Sequence, residues 1–241
     1  MNLSHIQYSI DDINSKIRDR YSDHENEVFP ILDGAFDPAE YYSNQSYKIM
    51  WLMKEPYEKD ERYGDWSLPD FFKTNFAGFY NNLVKGIPGR TWQPVVYTSY
   101  GLLNQFKKWD EMSFIRDKPD MVKILGKISW VNIQKLPSET GCQTHYDNIK
   151  KAYTRNKDIL NEQIDLLDPD IIICGNTFSI IKEDWGRPKE EKFDMLEYCN
   201  IGKRLIINAY HPAQFNIKRE RYVNNIIETV KNWAHPYLLA K

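Results

Sequence analysis

The chain has 241 residues, of which 41% are hydrophobic and 27% are charged, and its formal net charge is -2 at pH 7. This composition is typical of a folded globular protein and excludes a disordered or fibrous chain. The slightly negative charge argues against a protein that coats nucleic acid indiscriminately, but it is compatible with a local basic face.

Several other classes are excluded by missing patterns. No apolar run approaches the about 18 residues that a membrane span requires, and the first residues lack the apolar core of a secretory signal. Cys142, Cys174 and Cys199 are scattered and lack the spacing of a zinc or iron–sulfur site. Phosphate-binding glycine loops are also absent. We therefore expect a cytoplasmic protein with reduced thiols and with no metal, cofactor or membrane partner.

The first part of the chain predicts one helix and one loop. Ile6, Ile10, Ile13 and Ile17 recur at three- and four-residue steps, which predicts an amphipathic helix over residues 3–20. Residues 29–34 indicate a loop or a short edge strand.

Four short apolar runs then predict strands, at Tyr47–Met53, Ile128–Ile133, Asp170–Cys174 and Arg204–Ala209. Three of them are almost continuously apolar, which is typical of strands buried on both faces of a parallel sheet. Helices are predicted over about 146–167, where Asp168 and Pro169 end the pattern, and over about 218–233. This alternation predicts an α/β protein: one domain over residues 1–241, built as a three-layer α/β/α sandwich around a four-stranded, mainly parallel sheet.

The first connection is unusually long. Residues 57–127 far exceed the dozen or so residues of an ordinary crossover, and they are rich in aromatic side chains. We expect this insertion to contain one or two helices that cover the carboxyl end of the sheet.

Polar side chains follow three of the predicted strands. Glu55 follows the first strand, Asn132 ends the second and His211 follows the fourth. Because ligands of such sheets bind beyond the carboxyl ends of the strands, a carboxylate, an amide and an imidazole are expected to converge there.

These strand ends resemble the motifs of the uracil-DNA glycosylase superfamily. Met53-Lys54-Glu55-Pro56-Tyr57 stands where the family has G-x-D/N/A-P-Y/G, and His211-Pro212-Ala213 stands where it has His-Pro-Ser. Val131-Asn132 matches the asparagine that reads the base, and residues 167–175 resemble the third strand and its glycine. The chain departs from the pattern at Met53, Glu55 and Ala213.

The resemblance implies a DNA glycosylase that hydrolyses the N-glycosidic bond of a flipped-out pyrimidine and leaves an abasic site. Such cleavage produces an oxocarbenium-like sugar and an anionic base. Glu55 would stabilise the cation or orient water, His211 would donate to the departing base, and Asn132 would read its edge.

The resemblance also implies binding residues. Tyr57 would form a wall of the pocket, Phe71 or Phe72 would stack on the base, and Trp66 and Gln214 would contribute further contacts. Phe215 would act as the apolar wedge that fills the gap left by the flipped nucleotide. Around it lies a basic stretch, with Lys203, Arg204, Lys218, Arg219 and Arg221 against Glu220, a local charge of +4 that suits DNA phosphates.

Three choices remain open from the sequence. The base is uracil, as in DNA repair, or a modified pyrimidine such as hydroxymethylated or glucosylated phage cytosine, as in antiviral defence; the charged and aromatic residues 58–66 suit hydroxyl-rich groups. The rival functions are a non-catalytic nucleic-acid-binding module on the same fold and a nucleoside or nucleotide hydrolase. Lys135 is the one lysine worth testing for Schiff-base chemistry, and simple hydrolysis is favoured over it.

Overall fold

The computed structural model describes residues 3–22, 28–58, 64–85, 89–139, 145–185, 191–193 and 196–238. In chain order its elements are α1 (Leu3–Arg20), β1 (Gly34–Ala35), α2 (Pro38–Tyr41), β2 (Ile49–Met53), β3 (Tyr57–Glu58), α3 (Leu68–Val84), α4 (Gly89–Leu103), β4 (Ile128–Asn132), β5 (Ser138–Glu139), α5 (Tyr146–Leu167), β6 (Ile171–Gly175), α6 (Phe178–Ile181), β7 (Glu191–Phe193), β8 (Leu196–Ile201), β9 (Arg204–Ala209) and α7 (Arg219–Leu238), with 3-10 helices at Trp109–Glu111 and Pro119–Lys127. Within these ranges, no helix has the length and apolar character needed to cross a membrane.

The four predicted strands form the centre of the main sheet. They lie in the order β4-β2-β6-β9, and all three neighbouring pairs are parallel. Every residue of β2, β4 and β6 is buried, and β2 and β6 are accordingly almost continuously apolar, whereas β4 also buries the polar Ser129 and Asn132. The α/β prediction is confirmed.

The sheet is larger than predicted, because it has seven strands in the order β1-β4-β2-β6-β9-β8-β7. The prediction of four strands was therefore wrong in number. The added strands β1 and β8 run antiparallel to their inner neighbours β4 and β9. β8 is half exposed: Leu196 and Cys199 are buried, but the residues around them are not. It therefore carries no continuous apolar run. Gly202, at φ 58°, makes the tight turn that joins β8 to β9.

Helices cover both faces of the sheet. Trp51 and Met53 belong to the apolar cluster that includes α4 and α7 side chains, whereas Met50 and Leu52 belong to the cluster of α5. The alternation of β2 side chains between two clusters places a buried layer on each side. The predicted helices are confirmed as α1, α5 and α7. Helix α5 ends at Leu167, and the next residue, Asp168, caps it in a left-handed backbone conformation.

The long insertion contains α3, α4 and the two 3-10 helices. It is anchored on the sheet itself, since Trp51 of β2 donates through Nε1 to Ser99 Oγ of α4 at 3.2 Å. The insertion therefore supplies one of the two covering layers as well as a wall beyond the strand ends.

Candidate active site at the carboxyl end of the sheet

The segments after β2 and β4 are joined by their backbones. Three N–H groups of the second segment donate to carbonyls of the first at 2.8–3.0 Å: Ile133 to Met53, Gln134 to Lys54 and Ser138 to Pro56. The pairing continues as the small parallel sheet of β3 with β5. These bonds hold the backbone of Glu55 beside that of Asn132.

The loop after β9 fixes His211. Tyr222 of α7 donates through its hydroxyl to the Tyr210 carbonyl at 2.9 Å, and the Ala213 backbone N–H donates to His211 Nδ1 at 3.1 Å. Because a backbone N–H can only donate, Nδ1 is the acceptor nitrogen of a neutral ring and Nε2 carries the proton. Burial, helped by the charge of Lys54, lowers the pKa of His211 to about 4. At neutral pH the imidazole is therefore an uncharged donor.

Gly175, at the end of β6, allows the first and last motifs to approach each other. A Cβ atom at this position would lie 2.4 Å from Met53 Sδ and 3.6 Å from Pro212 Cδ. A side chain here would push against Met53, which is itself buried. The glycine therefore has a packing role at the base of the site.

A cavity of about 260 Å³ lies between the strand ends and the insertion. We call it the carboxyl-end cavity. Its lining includes all three residues expected to be catalytic, namely Glu55, Asn132 and His211. It also includes most of the expected substrate-binding residues, namely Tyr57, Trp66, Phe71 and Phe72. Residues from three distant parts of the chain thus meet at one site.

Asn132 presents a buried amide to this cavity. Its side chain is 1% exposed, and its backbone N–H donates to Asp33 Oδ2 at 2.7 Å. Trp130 donates through Nε1 to Asn132 Oδ1 at 3.3 Å, whereas no group among the described residues accepts from Nδ2. A buried donor without an acceptor costs about 1–3 kcal/mol, so this N–H₂ group is suited to an acceptor on a ligand.

An ion pair behind Asn132 was missed by the sequence analysis. Lys135 is fully buried and donates to both carboxylate oxygens of Asp33, at 2.8 and 3.0 Å, and to Gln163 Oε1 at 2.8 Å. A lysine three residues after a buried strand needs a partner of opposite charge if it is itself buried. The position of Lys135 in the sequence could therefore have indicated a buried ion pair, although not its partner. Lys135 does not line the carboxyl-end cavity, so nothing here favours Schiff-base chemistry.

The aromatic walls differ in their exposure. Phe71 is 42% exposed and contacts Trp66 with ring centroids 5.6 Å apart, so these two rings form the rim together with Tyr57, which is 47% exposed. Phe72 packs inward against Phe36 and Phe76, at centroid distances of 4.8 and 4.9 Å. Phe72 is therefore the ring held in a fixed position.

Gln214 is not brought to the cavity. Its Nε2 donates to the Ile217 carbonyl and its Oε1 accepts from the Ile217 backbone N–H, both at 2.9 Å. The predicted substrate contact therefore has no support, since both amide atoms stabilise the loop that carries Phe215.

An exposed aromatic and basic surface lies on this loop and its surroundings. Phe215 is 75% exposed, and the guanidinium of Arg90 lies 4.6 Å above its ring. Arg219 donates to Gln93 of α4, and Lys218 and Arg221 are exposed beside it. Arg90 is the cation that the sequence analysis missed, because it comes from the insertion.

The predicted basic stretch is smaller than its sequence suggested. Lys203 and Arg204 form ion pairs with Asp168, at 2.8 and 3.3 Å, at the opposite end of β9. They do not belong to the surface around Phe215.

Among the residues that the structure describes, no group of three or more His, Cys, Asp or Glu side chains is placed to hold a metal ion. No model of a known protein family matches the chain, and no curated protein matches it either.

Proposed function

We propose that this protein is a DNA glycosylase of the uracil-DNA glycosylase type, which hydrolyses the bond between a flipped-out pyrimidine and its deoxyribose. The observation that carries the proposal is the meeting of Glu55, Asn132 and His211 in one aromatic-walled cavity of about 260 Å³. An exposed Phe215 with cations around it lies on the loop that begins at His211.

His211 and Asn132 serve the departing base. When the bond from N1 to C1′ breaks, its electron pair stays on the base, and negative charge develops on the base oxygens. The neutral His211 donates a hydrogen bond from Nε2 to one such oxygen, and the Asn132 amide donates from Nδ2. Fixed donors of this kind are each worth about 10²–10³ in rate.

Glu55 serves the sugar. Its carboxylate is 9% exposed and is held between a buried strand and Pro56. Loss of the base leaves an oxocarbenium-like sugar, which the negative charge stabilises. Water attacks C1′ and gives up a proton to Glu55, so that the products are a sugar hemiacetal, the abasic site, and an anionic base that is protonated on release.

A polynucleotide is a better substrate for this surface than a free nucleoside. A nucleoside would fill the cavity and leave the exposed Phe215 and the Arg90 guanidinium above its ring without a contact to substrate. An apolar side chain can instead fill the base step that a flipped nucleotide leaves, while the cations bind phosphates. This favours DNA over the nucleoside and nucleotide substrates of the rival hydrolase.

The size of the cavity bears on the base. Its volume of about 260 Å³ lies just below the roughly 300–1,000 Å³ of pockets that hold drug-sized ligands, which suits a pyrimidine ring with a small substituent. A hexose on the ring would extend past the rim formed by Tyr57, Trp66 and Phe71. We therefore propose uracil or a pyrimidine with a small substituent as the base, and a glucosylated base only with its sugar outside the cavity.

The proposal is tested with oligonucleotides of one sequence that carry uracil, cytosine, hydroxymethylcytosine or glucosylated hydroxymethylcytosine at one position. Base release is measured as alkali-sensitive strand cleavage. We expect release from at least one of them, and we expect Glu55→Gln, Asn132→Ala and His211→Ala to slow it while DNA binding persists.

Glu162→Gln, on the outer side of α5, is the matched control for Glu55→Gln. The absence of release from all four oligonucleotides, or wild-type rates in all three site variants, would overturn the proposal. Binding that does not depend on Glu55, without any turnover, would support the non-catalytic module, and turnover of a free nucleoside would support the nucleoside hydrolase.

A further inference from the structure

The side-chain amide of Asn132 has a fixed orientation. An asparagine amide that turns by half a rotation exchanges its donor and its acceptor, and so could read two different base edges. Here Trp130 donates through Nε1 to Asn132 Oδ1 at 3.3 Å. An indole N–H can only donate, so the turned amide would place two donors against each other. The oxygen therefore stays beside Trp130 and Nδ2 on the other side.

Trp130 itself is held in place. It is 7% exposed, and its ring lies 4.7 Å from that of Trp92, centroid to centroid. Trp92 in turn contacts Phe79 of α3 at 5.4 Å. The Asn132 backbone is fixed separately, because its N–H donates to the buried Asp33 carboxylate at 2.7 Å. The indole cannot move without disturbing this packing, and the amide cannot turn without losing the hydrogen bond from Trp130.

A fixed amide distinguishes two classes of pyrimidine. A uracil-type ring presents a donor at position 3 and an acceptor at position 4, whereas a cytosine-type ring presents an acceptor at position 3 and a donor at position 4. One amide orientation matches only one of these patterns in a given pose. We propose that Trp130 determines base specificity, because it fixes Asn132 to read one of the two patterns. This inference rests on the proposed glycosylase function.

The test is the ratio of base-release rates on oligonucleotides that carry uracil-type and cytosine-type bases with matched 5-substituents. Trp130→Phe retains an aromatic ring but deletes the indole N–H, so the amide is released from its fixed orientation. We expect the wild-type protein to prefer one class and the ratio to fall by about tenfold in Trp130→Phe, because the disfavoured base reacts faster. Trp51→Phe is the matched control, because it also deletes a buried indole N–H, the one that donates to Ser99 Oγ at 3.2 Å, but lies outside the lining of the carboxyl-end cavity; it should leave the ratio unchanged.

An unchanged ratio in Trp130→Phe, or a wild-type protein that releases both classes equally, overturns this inference and leaves the glycosylase function standing. A wild-type protein that releases no base overturns the function itself.

A measurement on the wild-type protein covers the case in which Trp130→Phe does not fold. In isotope-labelled protein titrated with the free product base, the Trp130 indole N–H should stay protected from solvent exchange while the Asn132 amide signals shift. Loss of that protection on binding would show that the amide turns, and would overturn the inference.

Discussion

The ion-pair cluster around Asp168 and the carboxyl-end cavity use polar residues in opposite ways. At the amino end, Asp168 accepts from Lys48, Lys203 and Arg204, at 3.0, 2.8 and 3.3 Å. At the carboxyl end, the Asn132 amide keeps an N–H₂ group without an acceptor among the described residues, and His211 keeps its Nε2 proton. Polar groups that satisfy one another stabilise the fold, whereas groups that are held in place but lack a partner are available to a ligand.

Volume alone does not reveal this difference. A groove of about 870 Å³ lies towards the amino end and is much larger than the carboxyl-end cavity. Four of the charges that line it form two ion pairs, Lys123 with Asp120 at 2.8 Å and Lys127 with Glu40 at 3.6 Å. The smaller cavity is the better candidate for an active site, because Asn132 and His211 each offer it a hydrogen-bond donor and Glu55 lines it as well.

The largest effect is expected from the buried ion pair that supports the carboxyl end. Lys135→Met leaves the Asp33 carboxylate buried without its cation, and should lower the free energy of unfolding by about 3–5 kcal/mol, as measured by urea denaturation. The double variant Lys135→Met/Asp33→Asn should recover part of that loss, since it removes the stranded charge and keeps a side-chain oxygen that can accept from the Asn132 backbone N–H. An unchanged midpoint in Lys135→Met would contradict a structural role for the pair.

The next effect is on catalysis. His211→Ala should slow base release by about 10²–10³, because the donor to the departing base is lost. His145→Ala, at the exposed start of α5, is the matched control and should retain the wild-type rate. Single-turnover kinetics separates the chemical step from DNA binding, and equal rates in the two variants would remove His211 from the site.

A smaller effect on activity is expected from Phe215, the residue proposed to fill the base step in duplex DNA. Phe215→Ala should reduce activity on duplex DNA on the order of tenfold and on single strands less, because only the duplex has a base stack to fill. Phe114→Ala is the control, since Phe114 is 51% exposed and also lies under an arginine, Arg116, at 4.8 Å. Equal losses on both forms of DNA would exclude the wedge.

The amino end should behave as a purely structural region. Asp168→Asn keeps the left-handed backbone that asparagine tolerates, and should cost about 1 kcal/mol or less with no change in base release. Partial burial raises the pKa of Asp168, but hydrogen bonds from Lys203 and Lys48 outweigh it and bring the pKa to about 2. Its contribution is thus present above about pH 4 and is lost as the pH falls towards 2, which urea titrations across that range can check.

The last prediction is that the rate of base release does not change with pH through His211 between pH 5 and pH 8. Because the pKa of His211 is about 4, base release should show no inflection from this group between pH 8 and pH 5. The unfolded chain takes up the same proton near pH 6.5, so folding stability should fall as the pH drops from 6.5 to 4. His211→Ala should remove that part of the decrease, and an inflection near pH 6.5 in the wild-type rate would contradict a neutral imidazole.

The sequence predicted the centre of the molecule better than its edges. β2, β4 and β6 are buried on both faces, so composition alone marks them, and the order of strand ends then places Glu55, Asn132 and His211 together. β8 was missed because it is partly exposed, whereas the two-residue edge strand β1 begins at the last residue of the stretch 29–34 that indicated a loop or a short edge strand.

The sequence was least informative where a role depends on a contact across the fold. The positions of Arg90 over Phe215 and of Asp33 against Lys135 follow from tertiary packing and leave little trace in local patterns. Gln214 and the charge of Lys203 and Arg204 were assigned by proximity along the chain. A six-residue strand is about 20 Å long, so neighbours in sequence can lie at opposite ends of it.

The backbone bonds between the segments after β2 and β4 have a consequence for how such a protein can diversify. Main-chain bonds hold the backbones of Glu55 and Asn132 beside each other, whereas Phe71, Phe72 and Trp92 reach the cavity from helices of the insertion. On the proposed function, substitutions in those helices reshape the opening for a different base while Glu55 and Asn132 keep their spacing.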